Sequence, residues 1–141
     1  MRDSRDTIIV TGSREWDDSE TMHIWIDWAW HQMIPAGLTP QLVHGGAAGA
    51  DTMAGALWPE PGTIHRRPVD PAIDGPWPAA GHRRNIRMVD EFIVRTRIGL
   101  AFAAKPALFE ATSKRGGTVQ CACYMMRRGL PVVVVTPGAR P

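Results

Sequence analysis

The sequence predicts an α/β fold: one five-stranded, mostly parallel sheet flanked by helices on both faces. Three observations predict it. Short apolar, β-branched runs recur along the chain, and runs without polar alternation suit strands covered on both faces. Stretches with helical spacing of apolar residues separate them, giving the order β-α-β-α-β-α-β-α-β, which one parallel sheet satisfies. No repeat, linker or low-complexity block divides the 141 residues, so the chain reads as one domain with its core at about 7–135. That length suffices to bury roughly two-thirds of the unfolded surface.

Taken in order, Thr7 to Thr11 form the first strand, ended by a tight Gly12-Ser13-Arg14 turn. Asp17, Asp18 and Ser19 are N-cap candidates for a helix over about 19–34, stopped by Pro35 and Gly37. Met22, Ile26, Ala29, Trp30 and Met33 recur along it at helical spacing, and Trp25 and Trp28 widen the apolar face. Gln41 to His44 are the second strand, and a small-residue helix near 50–58 ends before Pro59 and Pro61. Residues 63–69 suggest a third strand, made polar by Arg66 and Arg67 and so placed at an edge. Pro71, Gly75, Pro76 and Pro78 exclude regular structure from 70–82, where Trp77 needs a packing partner. A helix carrying Arg83, Arg84, Asn85, Arg87 and Met88 then runs to about 92. Ile98 to Ala103 read as the fourth strand, followed by a long loop over 104–115. Gly116-Gly117-Thr118 opens a helix to about 128, with Gly129 as its stop. Pro131 to Val135 are fully apolar and therefore predicted central or two-sided, before a frayed tail over 136–141.

Composition narrows the function classes. Hydrophobic content of 44% and charged content of 21% suit a globular protein. The formal net charge of +2, with no basic run, counts against nucleic acid as a partner. Yet 14 of the 16 basic residues are arginine, the side chain suited to bidentate phosphate contacts. Cys121 and Cys123, at i,i+2 on a helix, point to different faces and suggest neither a disulfide nor a zinc site. The five histidines show no metal spacing, and neither a metal nor a cofactor is expected. No apolar run follows the first six residues and none approaches membrane-spanning length, so a cytoplasmic protein is expected.

In an open parallel sheet, ligands bind at the carboxyl ends of the strands, near the point where strand order reverses. Three turns with binding-type residues leave that edge: Thr11-Gly12-Ser13-Arg14, His44-Gly45-Gly46-Ala47 with Gly49-Ala50-Asp51, and Lys114 to Thr118. Glycines leave amides unshielded and a helix start adds its dipole, a combination that binds phosphate or carboxylate oxygens. Such turns also close tight connections with no ligand. Asp51 is either a first-turn carboxylate favoured by the dipole or an acceptor for ribose hydroxyls. His44 is either a ligand contact or a structural hydrogen-bonder. Arg83, Arg84 and Arg87 open a helix, where cations oppose the dipole, so at least one needs an anion partner. The spacing matches neither a Walker A loop nor a clean Gly-x-Gly-x-x-Gly, which disfavours an ordinary dinucleotide dehydrogenase.

Four motifs then stand in order: Val10-Thr11-Gly12-Ser13-Arg14-Glu15-Trp16; Val43-His44-Gly45-Gly46-Ala47 with Gly49-Ala50-Asp51; Ala80-Gly81 with Arg84-Asn85 and Met88; and Gly117-Thr118. Together they resemble the SLOG superfamily of Rossmann-like proteins, in its small stand-alone, YspA-related branch. More distant kin are the LONELY GUY phosphoribohydrolases and the DNA-processing protein A family. The resemblance implies a nucleotide or nucleotide-derivative site. It matches Arg84 with the arginine the phosphoribohydrolases use in catalysis, and Arg84-Asn85 with an Arg-Asn pair of the DNA-processing family. It matches Gly45, Gly46 and Gly49 with the first glycine loop of both groups. One departure matters. The phosphoribohydrolases carry glutamates two and three residues after the threonine, where this chain has Gln120 and Cys121. Glutamine hydrogen-bonds a hydroxyl but is no general base, and Glu110 in the preceding loop is a remote substitute.

The expected ligand-binding set is therefore Thr11, Gly12, Ser13, Arg14, His44, Gly45, Gly46, Ala47, Gly49, Ala50, Asp51, Arg84, Asn85, Gly116, Gly117 and Thr118, with turn amides taking phosphate. Arg84 is the catalytic candidate if the protein is an enzyme. The expected partner is a nucleotide-derived small molecule. A homo-oligomer is expected too, because a lone chain would bury the tryptophans of the first helix with difficulty.

Overall fold

Strands Thr7–Gly12 (β1), Gln41–His44 (β2), Ile64–Arg66 (β3), Thr96–Phe102 (β4) and Val132–Val135 (β5) form a single sheet in the order β3-β2-β1-β4-β5. Every pairing is parallel, so the predicted α/β fold is observed. The computed structural model describes residues 3–105 and 116–141. The helices are Ser19–Met33 (α1), Ala50–Leu57 (α2), Pro71–Asp74 (α3), Ala80–Phe92 (α4) and Gly117–Arg127 (α5).

Two-residue alternation along β1 builds two cores. Ile8 and Val10 point to one face, where Leu42, Leu100 and Phe102 meet Met22, Ile26 and Met33 of α1 and Ala50 and Ala54 of α2. Ile9 points to the other, with Val43, Met88 and Val89 of α4 and Cys121 and Met125 of α5. Gly99 of β4 makes room for this second layer; a Cβ there would stand 2.6 Å from the Met125 sulfur. Asp18 caps α1, accepting from the Thr21 amide at 3.0 Å.

Four expectations are corrected. Residues 70–82 are not wholly irregular: Asp70 accepts from the Ala72 amide and Pro71 supplies a preset φ at the first helical position, so α3 forms. The helix bearing Arg84 also starts earlier, at Ala80. β5 is not central: it is an edge strand paired only with β4, with Val134 40% exposed, although its other valines pack on both faces of the sheet, as the two-sided alternative expected. The tail does not fray, because the Gly138 amide donates to Asp18 and Thr21, and the Trp25 indole donates to the Ala139 carbonyl at 2.9 Å.

The tryptophans of α1 find partners within the chain. Trp25 is buried beside Trp28, with ring centres 5.4 Å apart, and Trp30 meets buried Trp58 edge to face at 5.1 Å. The ground on which a homo-oligomer was expected is thereby removed. Among the described residues no helix is long and apolar enough to cross a membrane.

Candidate functional site

β1 is followed by β2 and β3 on one side of the sheet and flanked by β4 and β5 on the other, so strand order reverses between β1 and β4. A cleft of about 390 Å³ lies at the carboxyl ends of these strands. Of the expected residues, Thr11, Gly12, Ser13, Arg14, Ala47, Asp51, Arg84, Asn85, Gly116 and Gly117 line it. His44, Gly45, Gly46, Gly49, Ala50 and Thr118 do not. Lys114 and Arg115, the basic part of the third turn, lie outside the described residues, as does Glu110.

The second turn is corrected most. Asp51 is buried, and its Oδ2 accepts from the amides of Gly45 at 3.1 Å and Ala47 at 3.2 Å. The Gly46 amide donates to His44 Nδ1 at 3.0 Å. These three amides are thus engaged within the protein instead of facing phosphate. Both readings of Asp51 gain something: Oδ2 pins the loop, and Asp51 lines the cleft. Burial pushes the Asp51 carboxyl up to about 6, against the lowering effect of the Ala47 amide, the Arg84 charge and the Gly45 amide.

Three glycines are there for close approach rather than for a ligand. A Cβ on Gly12 would stand 2.3 Å from the Ala50 Cβ, and one on Gly49, at φ +79°, 2.4 Å from the Arg14 carbonyl. A Cβ on Gly45 would fall 2.5 Å from the Arg84 guanidinium carbon. By contrast, among the described residues a Cβ on Gly116 would meet nothing within 4 Å and one on Gly117 only an ordinary contact with Asn85, and both glycines line the cleft.

Arg84 is the central polar residue. It is buried on α4 and donates through Nη1 to the Gly45 and Arg67 carbonyls and through Nε to Asn85 Oδ1 at 2.9 Å. Asn85 in turn donates to Gln120 Oε1 at 3.0 Å and to the Gly117 carbonyl at 3.3 Å. Gln120 therefore orients Asn85, which orients Arg84. Nη2 makes no hydrogen bond, and Arg84 no ion pair, among the described residues. The neighbouring arginines differ. Arg87 pairs with Asp74 at 2.8 Å, and Arg83 donates to the Asp74 carbonyl.

His44 turns away from the cleft toward a smaller cavity of about 260 Å³ shared with Thr52, Gly55, Ile64 and Arg66. Burial, with Arg66 and Arg84 nearby, holds its imidazole down at about 4, so it is neutral at pH 7, and its Nδ1 accepts from Gly46. Cys121 is buried, and burial pushes its thiol up to about 12, which leaves it a packing residue; Cys123 is half-buried. No group of three or more His, Cys, Asp or Glu able to hold a metal ion occurs among the described residues.

Sequence reasoning missed part of the wall. Glu15, Trp77, Pro78, Gly81, His82 and Lys105 also line the cleft. The available signal was Trp77 itself, an aromatic residue isolated among breakers. It lies beside Gly81 and remains 59% exposed. No family model and no curated protein matches this chain.

Proposed function

We propose that this chain is a binding module, a cytoplasmic sensor or sponge, for a nucleotide or nucleotide-derived ligand such as an ADP-ribose-like molecule. One observation carries the reading: Arg84 is a buried guanidinium with no carboxylate partner among the described residues, on the wall of a cleft at the reversal of strand order. A guanidinium outside ion-pair distance of any described carboxylate, with Asp51 sensing its charge only at longer range, is costly to bury, and an anionic ligand supplies a close partner. Arg14 adds positive charge to the same cleft, where Lys105 pairs with Glu15 at 3.2 Å, and the start of α5 adds amides that have no acceptor within the helix. The resemblance to the SLOG superfamily narrows the anion to a nucleotide derivative.

Calorimetry with AMP, NAD, ADP-ribose and inorganic phosphate tests it. Binding of at least one nucleotide is expected, with loss in Gly117→Val, which fills the cleft where a side chain has room. No binding by the wild type, or equal binding by Gly117→Val, would sink the reading.

A second reading, hydrolysis of an N-glycosidic or phosphoribosyl bond, is favoured by Asp51. It lines the cleft and its carboxyl is pushed to about 6, within the useful range for a general acid or base. Base release from nucleoside monophosphates or NAD, followed by chromatography, decides it. Activity that survives both Asp51→Asn and Arg84→Gln would reject these roles.

A further inference from the structure

Of the six tryptophans, Trp77 alone stands mostly in solvent. Trp16, Trp25 and Trp58 are buried, and Trp28 and Trp30 are half-buried against other indoles. Trp77 joins no aromatic pair among the described residues, yet it lines the cleft together with Arg14, Arg84 and the start of α5.

Gly81 lies beside the indole: a Cβ built there would stand 3.4 Å from ring atom Cζ3, an ordinary van der Waals distance. The segment before it is anchored to α4 by Asp74, whose carboxylate receives Arg87 Nε at 2.9 Å, Arg87 Nη2 at 2.8 Å and the Asp70 amide at 2.8 Å. Arg83 closes the turn by donating to the Asp74 carbonyl. A mostly exposed indole that lines a cleft, on a segment tied to α4, is a stacking platform. Phosphate, or a sugar phosphate alone, would use the cationic wall and leave this platform idle.

We infer that Trp77, beside Gly81 in the lining of the cleft, stacks on the base of the ligand, so that the cleft selects molecules carrying both a phosphate and a planar aromatic base. The inference rests on the proposed nucleotide reading and names the part of the ligand that the cationic wall does not explain.

The test compares AMP and ADP-ribose with ribose 5-phosphate, on the full chain and on Trp77→Ala and Trp77→Phe, by calorimetry. Trp77→Ala is expected to weaken AMP and ADP-ribose by about 10-fold, as loss of one base–aromatic stack does, and to leave ribose 5-phosphate unchanged. Trp77→Phe restores most of the loss, and AMP quenches tryptophan emission in the wild type but not in Trp77→Phe. Unchanged AMP affinity in Trp77→Ala, with binding still abolished by Gly117→Val, overturns the stacking role and leaves the nucleotide reading intact. An equal loss for ribose 5-phosphate assigns Trp77 to the shape of the cleft and also overturns it. Absence of nucleotide binding by the wild type overturns both. Association of the wild type, but not of Trp77→Ala, into dimers would make the indole a contact between copies and likewise rejects base stacking.

Discussion

At the scale of single residues, Asp51 joins folding to the site. One oxygen satisfies two amides of a tight loop, and the residue lines the cleft. Asp51→Ala strands both amides and is expected to cost about 2–4 kcal/mol in urea unfolding. The charge has its own signature. The unfolded carboxyl ionises near 3.8 and the folded one near 6, so the native state holds the extra proton between them and stability falls as pH rises through that window. His44 acts in the opposite sense: its folded value near 4 lies below the ordinary 6.5, so stability falls as pH drops through that range. Asp51→Asn removes only the first effect. Relative to the wild type it should gain about 1–3 kcal/mol between pH 4 and pH 6, read from urea midpoints. A constant difference across that range would show that Asp51 titrates normally. The glycines separate just as cleanly. Gly49→Ala meets backbone at positive φ and should lose about 2 kcal/mol of stability or more. Gly45→Ala meets only the end of the Arg84 side chain, so it should weaken nucleotide binding more than folding.

At the scale of elements, α4 does the positioning. It carries Arg84 and Asn85 toward the cleft, Met88 and Val89 into the core, and Arg87 toward Asp74. The Arg87 guanidinium holds the Asp74 carboxyl at about 2, and α3 hangs on that pair. Asp74→Ala leaves the Asp70 amide without its acceptor and should cost about 1–3 kcal/mol. It should also speed hydrogen exchange over 70–79, and weaken AMP by freeing the Trp77 platform. Exchange that stays slow there would show that the segment does not depend on this anchor. How much of α3 was legible in the sequence is instructive. Each breaker signalled a stop, but Pro71 after Asp70 was equally a helix start, and a four-residue helix shows no periodicity. For β5 the apolar pattern reported burial, not neighbours: Val132, Val133 and Val135 pack although one edge of the strand is unpaired.

At the scale of the whole molecule, the last residues close the α1 face of the sheet. Removing Pro137 to Pro141 strands the Trp25 indole and the Asp18 and Thr21 acceptors, and should cost about 1–3 kcal/mol. An unchanged urea midpoint for the shortened chain would show that the tail contributes nothing.

Strand order of types, parallel pairing and the sheet edge that carries the cleft followed from the sequence alone, because apolar periodicity and the handedness of β-α-β crossovers are local rules. Arg84, Asn85 and the start of α5 were legible for the same reason: motifs at strand ends must converge once the sheet forms. Only the tertiary structure decided what each group does there. The amides of Gly45, Gly46 and Ala47 are consumed by Asp51 and His44, the glycines make room for Ala50, Arg84 and the Arg14 carbonyl, and Trp77 lines the cleft. Whether a donor is spent inside the protein or offered to a ligand depends on partners distant in sequence or on the exact turn of a loop, and no pattern along the chain records it.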